Sequence, residues 1–116
     1  MYYRFENLEV WKNSRFFISN IYKLTKKFPK NESFGLTSQI QRAAISVALN
    51  IAEGSDRRSD LDFKRFLRMA LGSLDEVVTA LYIAMDLEFI DNKDFQFLYE
   101  ESNKLTSQIR ALSNKL

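Results

Sequence analysis

The sequence predicts an all-α protein that folds as an up-down-up-down four-helix bundle. Apolar residues recur at three- and four-residue steps in four long segments, a spacing that places side chains on one face of an α-helix. Only three glycines and one proline occur in 116 residues, so few turns interrupt the chain. Short polar segments join the periodic stretches, and short connections favour antiparallel neighbours in a bundle. We expect one domain over residues 1–116.

The four helices are predicted at about residues 8–28, 34–53, 60–87 and 92–115. Pro29 disfavours helical backbone at Phe28 and so ends the first helix. Ser59 and Asp91 each precede a periodic run and have an aspartate three residues later, which is typical of N-cap residues. The fourth helix carries a heptad seam with one polar gap, formed by Leu98, Ser102, Leu105, Ile109, Leu112 and Leu116.

The second predicted helix is apolar on two faces. One face would line the core and consists of Leu36, Ile40, Ala43, Ala44, Val47 and Ile51. Ile45 and Leu49 lie on the opposite face, where a helix of a solitary bundle normally carries charge. Because exposed apolar patches mark interfaces, self-association is the favoured interpretation. The N-terminal residues 1–5 or a loop could cover this face instead.

A polar stripe runs beside the core face of the same helix. Arg42 and Glu53 belong to it but stand eleven residues apart, about 16 Å along the axis, so they cannot pair with each other. Buried charges need partners, and each would therefore contact another helix or another subunit. The candidate subunit-interface residues or polar anchors are Gln39, Arg42, Ile45, Leu49, Asn50 and Glu53.

Charge is distributed unevenly along the chain, although the net charge is only +2. Residues 1–58 carry ten Lys/Arg and five Asp/Glu, a net charge of +5, whereas residues 59–116 carry seven and ten, a net charge of −3. A chain with this asymmetry can bind nucleic acid or pair head to tail with a copy of itself.

Two basic groups are the candidate nucleic-acid contacts. The first group is Arg57, Arg58, Lys64, Arg65 and Arg68, and the second is Lys26, Lys27 and Lys30. Lys64 and Arg68 share one helix face, so the first group could contact several phosphates along a backbone. The alternative is a solvated surface neutralised by nearby aspartates, and cations at the end of the first helix also suit its dipole.

The residue types that are missing exclude several kinds of site. The chain has no histidine and no cysteine, which excludes the usual catalytic triads, His-ligated zinc, thiolate sites and disulfides. No glycine-rich phosphate loop is present. Carboxylates near the helix ends, such as Glu53 and Asp56, more commonly serve as caps or dipole partners than as a catalytic pair. We therefore expect a non-enzymatic protein with no cofactor and no metal.

No segment of the sequence resembles a membrane span or a signal peptide. No apolar run reaches the length that crosses a bilayer, and the N-terminal segment MYYRFENLEVW lacks an apolar signal core. We expect a cytoplasmic protein with no membrane partner.

Several ordered motifs resemble one known family, the four-helix-bundle proteins encoded in intervening sequences of bacterial 23S ribosomal RNA genes. The matching segments are LEVW at 8–11, FP at 28–29, Glu32, GLTSQI at 35–40, RAA at 42–44, NIAEG at 50–54 and ALGSL at 70–74. They cover nearly the whole chain, and helix 4 matches only in its heptad character. Ala48 and Leu49 depart from the pattern, since a smaller or more polar pair is expected there.

The resemblance implies a left-handed up-down bundle that assembles as a ring-like homo-oligomer, with a pentamer favoured. The chain is also similar to the accessory variability determinant of diversity-generating retroelements, a basic pentameric bundle that works with a reverse transcriptase and nucleic acid. Together with the basic groups, this predicts an accessory or scaffold protein that binds RNA or a nucleoprotein. The alternative is a protein–protein assembly module with no nucleic-acid ligand.

Overall fold

A computed structural model describes residues 2–116, and over this range the chain forms four α-helices. They are α1 (Glu9–Thr25), α2 (Leu36–Ser55), α3 (Asp60–Asp86) and α4 (Asn92–Asn114), with short 3₁₀ segments at Arg4–Asn7 and Lys30–Glu32. No β-strand occurs among the described residues. The predictions of an all-α protein and of four helices are confirmed. Within residues 2–116, no helix is both long and apolar enough to span a membrane.

α1 ends at Thr25, three residues before the predicted end at residue 28. The N–H of Phe28 donates to the carbonyl of Thr25 at 3.0 Å, a hydrogen bond over three residues that turns the chain out of the helix. Phe28 nevertheless stays buried, with its ring centre 5.6 Å from that of Phe89. The apolar period therefore continues beyond the helix, because a turn residue packs on the core.

α2 begins and ends two residues later than predicted, at Leu36 and Ser55. At its start, Glu32 Oε1 accepts a hydrogen bond from the N–H of Leu36 at 3.1 Å and satisfies one of the unpaired amides of the first turn. The two predicted N-caps are confirmed. Ser59 Oγ accepts from the N–H of Asp62 at 3.1 Å, and Asp91 Oδ1 accepts from the N–H of Asp94 at 2.8 Å.

The apolar faces of all four helices meet in one core. Its fully buried large side chains are Phe17 and Ile21 of α1, Ile40, Val47 and Ile51 of α2, Phe63, Leu67, Leu74, Val77 and Leu81 of α3, and Leu98 and Ile109 of α4. Each contributes about 1.5–3 kcal/mol through burial. The predicted polar gap at Ser102 is also buried, and its hydroxyl donates to the carbonyl of Leu98 at 2.8 Å, so the gap leaves no unpaired donor.

α1 packs against α4, and each helix packs against the next one along the chain. Side-chain hydrogen bonds join α1 and its flanking turn to α4 at three levels: Asn13–Gln108 at 3.1 Å, Asn20–Glu101 at 2.9 Å and Lys27–Asp94 at 2.7 Å. Each step of seven residues forward on α1 corresponds to seven residues backward on α4, so these two helices run antiparallel. The molecule is a rod of 44 × 23 × 23 Å.

α2 and α3 also run antiparallel and approach each other closely. Ser73 Oγ donates to Ser46 Oγ at 2.9 Å in the middle of the pair. At the connected end, a Cβ atom at Gly54 would lie 2.6 Å from Cβ of Phe66 and 3.0 Å from a ring carbon of Phe63. Glycine is therefore required at position 54 by the proximity of α3.

Gly54→Ala is expected to lower the free energy of unfolding by about 1–3 kcal/mol, because the added methyl group forces α2 and α3 apart. The measurement is urea denaturation at one fixed protein concentration. Gly72→Ala is the matched control, since Gly72 is exposed on α3 and a Cβ there meets nothing within 4 Å. Alanine should stabilise α3 at that position by about 0.5–1 kcal/mol through its better helix propensity. Equal effects of the two substitutions would contradict the close approach at Gly54.

The cap of α4 makes stability depend on acid pH. The hydrogen bond from the N–H of Asp94 is the largest effect that lowers the pKa of Asp91 below its ordinary value of 3.8, and the charge of Lys27 adds to it. Because the folded pKa is lower than the unfolded one, the ionised cap stabilises the fold above the unfolded pKa. This contribution is lost as the pH falls through the folded pKa.

Asp91→Asn is expected to reduce the loss of melting temperature between about pH 5 and pH 3, since asparagine accepts the same hydrogen bond at every pH. Asp91→Ala should instead lower the melting temperature at all pH values, because it removes the acceptor. Thermal unfolding followed by circular dichroism measures both. An asparagine variant with the same acid-side loss as the wild type would contradict this assignment.

Candidate nucleic-acid interface and subunit-contact face

The first basic group lies at the corner between α2 and α3. α2 ends at Ser55 and the chain turns through residues 56–59 before Ser59 caps α3. Arg57 and Arg58 are exposed in this turn, whereas the other three cations, Lys64, Arg65 and Arg68, follow on the first turns of α3. The structure therefore brings all five residues to one end of the α2–α3 pair.

Two residues of this group have local carboxylate partners. Arg57 Nη2 donates to Glu53 Oε1 at 2.9 Å, and the Arg57 guanidinium lies over the ring of Phe66, 4.5 Å from its centre. Arg65 pairs with Asp62 at 3.3 Å. Both pairs are largely exposed, where ion pairs contribute at most about 1 kcal/mol. Glu53 and Phe66 thus hold the side chain of Arg57 against the corner instead of leaving it extended into solvent.

Glu53 therefore does not need the partner on another helix or subunit that the sequence suggested. Arg57, four residues further along the same polypeptide, supplies the charge. Arg42 differs, because it is exposed and no carboxylate of residues 2–116 lies within 4.0 Å of it. Gln39 is exposed as well.

Asn50 is buried but satisfied within its own chain. Its Nδ2 donates to the carbonyl of Ser46 at 2.9 Å and to Ser46 Oγ at 3.0 Å. Ser46 in turn accepts from Ser73 of α3. The polar stripe of α2 therefore joins α2 to α3 through two serines, and in the sequence Ser73 stood out only as part of the ALGSL segment at 70–74. No buried side-chain nitrogen or oxygen of the described residues lacks a hydrogen-bond partner.

Part of the apolar far face of α2 is uncovered, although Ala48 is buried. Leu49 is 62% exposed and Ile45 is half-buried. On the adjoining side of α3, Met69 is 55% exposed. Leu49 thus places a large apolar side chain directly at the surface.

Residues 2–5 of the N-terminal segment pack at the α2–α3 corner and do not cover Leu49, whereas residue 1 lies outside the described residues. Arg4 Nη1 donates to the carbonyl of Ser55 at 3.2 Å, near the last turn of α2. The guanidinium of Arg4 also lies 5.2 Å from the ring centre of Phe63. A contact of this kind contributes about 0.5–1 kcal/mol at an exposed site. The segment therefore stabilises the corner that carries the first basic group.

The second basic group lies at the opposite end of α2, about 30 Å away for a helix of 20 residues. Lys27 forms an ion pair with Asp94 at 2.7 Å, and this hydrogen bond raises the pKa of Lys27 above its ordinary value of 10.5. Lys26 and Lys30 are exposed. Lys27 therefore joins the α1–α2 connection to α4. Because the length of α2 separates the two basic groups, they cannot contact the same phosphate.

A cleft between α3 and α4 adds a cation that the sequence did not indicate. Lys64 and Arg68 line it from α3, and Arg110 lines it from α4. Arg110 is 42 positions after Arg68, so no local pattern could associate the two residues. Only the packing of α4 against α3 brings them together.

The described residues show no grouping that resembles a metal site. Within residues 2–116, no three Asp or Glu side chains converge closely enough to hold a metal ion.

Similarity to known proteins identifies the family of this fold. The family model described as 23S rRNA-intervening sequence protein matches residues 6–111. A protein with unknown function from the S23 ribosomal protein family of Bacteroides thetaiotaomicron has a similar crystal structure, with a TM-score of 0.82 and 24% sequence identity over 90% of this chain and 97% of that chain. At this identity the likeness shows the fold alone. A comparison with curated proteins found no match. Because the family match covers residues 6–111 of 116, the chain belongs to the 23S rRNA-intervening sequence protein family.

Proposed function

We propose that this protein is a non-enzymatic accessory or scaffold that binds RNA or a nucleoprotein. One observation carries the proposal: five cations lie between Arg57 and Arg68 at one corner of the bundle. Arg58, Lys64 and Arg68 have no carboxylate within 4.0 Å in residues 2–116, so their charges are available to phosphates. Membership of a family named after ribosomal RNA genes is consistent with this role but assigns no ligand.

The proposal includes assembly into a ring-like homo-oligomer of up-down-up-down bundles. The antiparallel packing of α1 with α4 and of α2 with α3 supports the topology. The exposed side chain of Leu49 supports an interface on α2, because a neighbouring copy would remove that apolar surface from water. The family resemblance favours five copies. A ring would repeat the basic corner, so weak phosphate contacts would add through multivalency.

A second candidate is a protein–protein assembly module without a nucleic-acid ligand. The local ion pairs of Arg57, Arg65 and Lys27 favour it, since these cations then serve the fold of the monomer. Recovery of a protein partner after nuclease treatment, by the wild type but not by Leu49→Glu, would support this candidate.

Leu49→Glu is expected to lower the molecular mass of the assembly, because a carboxylate at a buried contact loses its hydration without gaining a partner. Light scattering coupled to size exclusion measures the mass. Leu61→Glu is the matched control, since Leu61 is 70% exposed on α3 and lies outside the proposed interface. A Leu49→Glu protein with the wild-type mass would contradict an interface on this face.

The wild-type protein is expected to bind structured RNA with weak sequence dependence and strong dependence on salt. Fluorescence anisotropy at about 50–200 mM salt measures the affinity, and its logarithm should fall with the logarithm of the salt concentration. Neutralising the first basic group with glutamine should weaken binding at least about tenfold, because several phosphate contacts are removed.

The control removes the same number of charges elsewhere, by glutamine substitution of Lys12, Lys23, Lys93, Lys104 and Lys115. If net charge alone attracts RNA, both variants lose the same affinity, and the corner has no special role. Absence of measurable binding by the intact wild-type oligomer at low salt would contradict the RNA proposal as a whole.

A further inference from the structure

The cleft between α3 and α4 is a compact cationic site within the rod. It has a volume of about 130 Å³, which is room for about four water molecules at roughly 30 Å³ each. Lys64 and Arg68 line it from α3, while Arg110, Ser113 and Asn114 line it from α4. Leu67 and Leu71 complete the lining, so cationic side chains of two helices border one small and partly apolar space.

The charge of this cleft is not compensated by the surrounding protein. No carboxylate lines it, and within residues 2–116 no carboxylate oxygen lies within 4.0 Å of Lys64, Arg68 or Arg110. Their neighbour Arg65, on another face of α3, does have a partner in Asp62. Cations that border one cavity without an ion-pair partner favour an anion between them.

Ordinary structural roles explain these residues individually but not together. The aliphatic part of a long cationic side chain can cover buried leucines such as Leu67, which is 1% exposed. Arg110 lies near the C-terminal end of α4, where a cation suits the helix dipole. Neither role requires cations from both helices, together with the hydroxyl of Ser113 and the amide of Asn114, to line the same cleft.

We propose that this cleft binds a phosphate group, with Lys64, Arg68 and Arg110 as its cationic ligands. Guanidinium groups present parallel N–H donors that match phosphate oxygens, and an ammonium group adds a compact charge. Ser113 and Asn114 supply further donors. The phosphate is either a phosphodiester of RNA, a reading that rests on the proposed function, or a free phosphate ion.

The RNA source is tested with Arg68→Gln, Arg110→Gln and the double variant, by anisotropy with a labelled structured RNA that has a single-stranded loop. Each single substitution should weaken binding about tenfold, as expected for a lost charge-assisted hydrogen bond. If both arginines hold one phosphate, the double variant should lose less affinity than the product of the single losses. In the double variant, the slope of the logarithm of the affinity against the logarithm of the salt concentration should also become smaller in magnitude by about 0.7, which is the value for one phosphate of a single strand.

Arg15→Gln is the matched control, because the substitution removes the same charge and Arg15 is exposed on α1, at a distance from the cleft. Circular dichroism should show unchanged helix content in all variants, since every substituted arginine is exposed. Cleft variants that bind RNA as Arg15→Gln does would exclude an RNA phosphodiester from this site.

The free-phosphate source is tested by melting the protein in inorganic phosphate and in chloride at equal ionic strength. Phosphate should raise the melting temperature of the wild type and of Arg15→Gln more than that of the double cleft variant, because specific binding adds to the general stabilisation of folded proteins by phosphate. A smaller shift of the double variant in this assay with unchanged RNA affinity identifies a free phosphate ion as the ligand. No difference between the double variant and Arg15→Gln in either assay overturns the inference.

The two proposals can fail separately. Wild-type protein that binds no RNA but gains more melting temperature from phosphate than the double cleft variant does contradicts the proposed function and supports the cleft. RNA binding that depends on Arg57 and Arg58 but not on Arg68 and Arg110, together with an equal effect of phosphate on the melting temperatures of the double variant and Arg15→Gln, supports the proposed function and overturns the cleft.

Discussion

The close approach of α2 and α3 at Gly54 determines where the functional candidates lie. A side chain at this position would collide with Phe66, so only glycine allows α2 to continue past α3 into the turn at residues 56–59. Ser59 then caps α3, and the period of α3 directs Phe63 into the core and Lys64 toward α4. The basic corner is therefore a consequence of one backbone contact and of helix geometry.

Ion pairing divides the basic residues into two kinds. Arg57, Arg65 and Lys27 each have a carboxylate partner within their own chain, and their charges contribute to local structure. Lys64, Arg68 and Arg110 share a cleft that no carboxylate lines. A cation without a nearby counter-charge retains more of its field for an external anion, so the second kind is the better basis for a ligand site.

α2 contributes to the monomer and, in the proposed assembly, to the oligomer. Its core face and its polar stripe are satisfied within one chain, the stripe through Ser46, Asn50 and Ser73. Leu49 is different, because it is 62% exposed and nothing in residues 2–116 covers it. A subunit contact on α2 would therefore depend on apolar area around Leu49 more than on the buried polar residues of the stripe.

The sequence by itself determined the helices, because the apolar period and the caps at Ser59 and Asp91 are local properties of the chain. Helix ends differed where a tertiary contact intervened, as with buried Phe28, which lies in a turn beyond α1. The partner of Glu53, Arg57, lies only four residues away and was within reach of local sequence reasoning, whereas the place of Arg110 was decided only by the tertiary structure. Charge pairing depends on a few ångströms in space, and residues 42 positions apart have no shared local signal until two helices pack side by side.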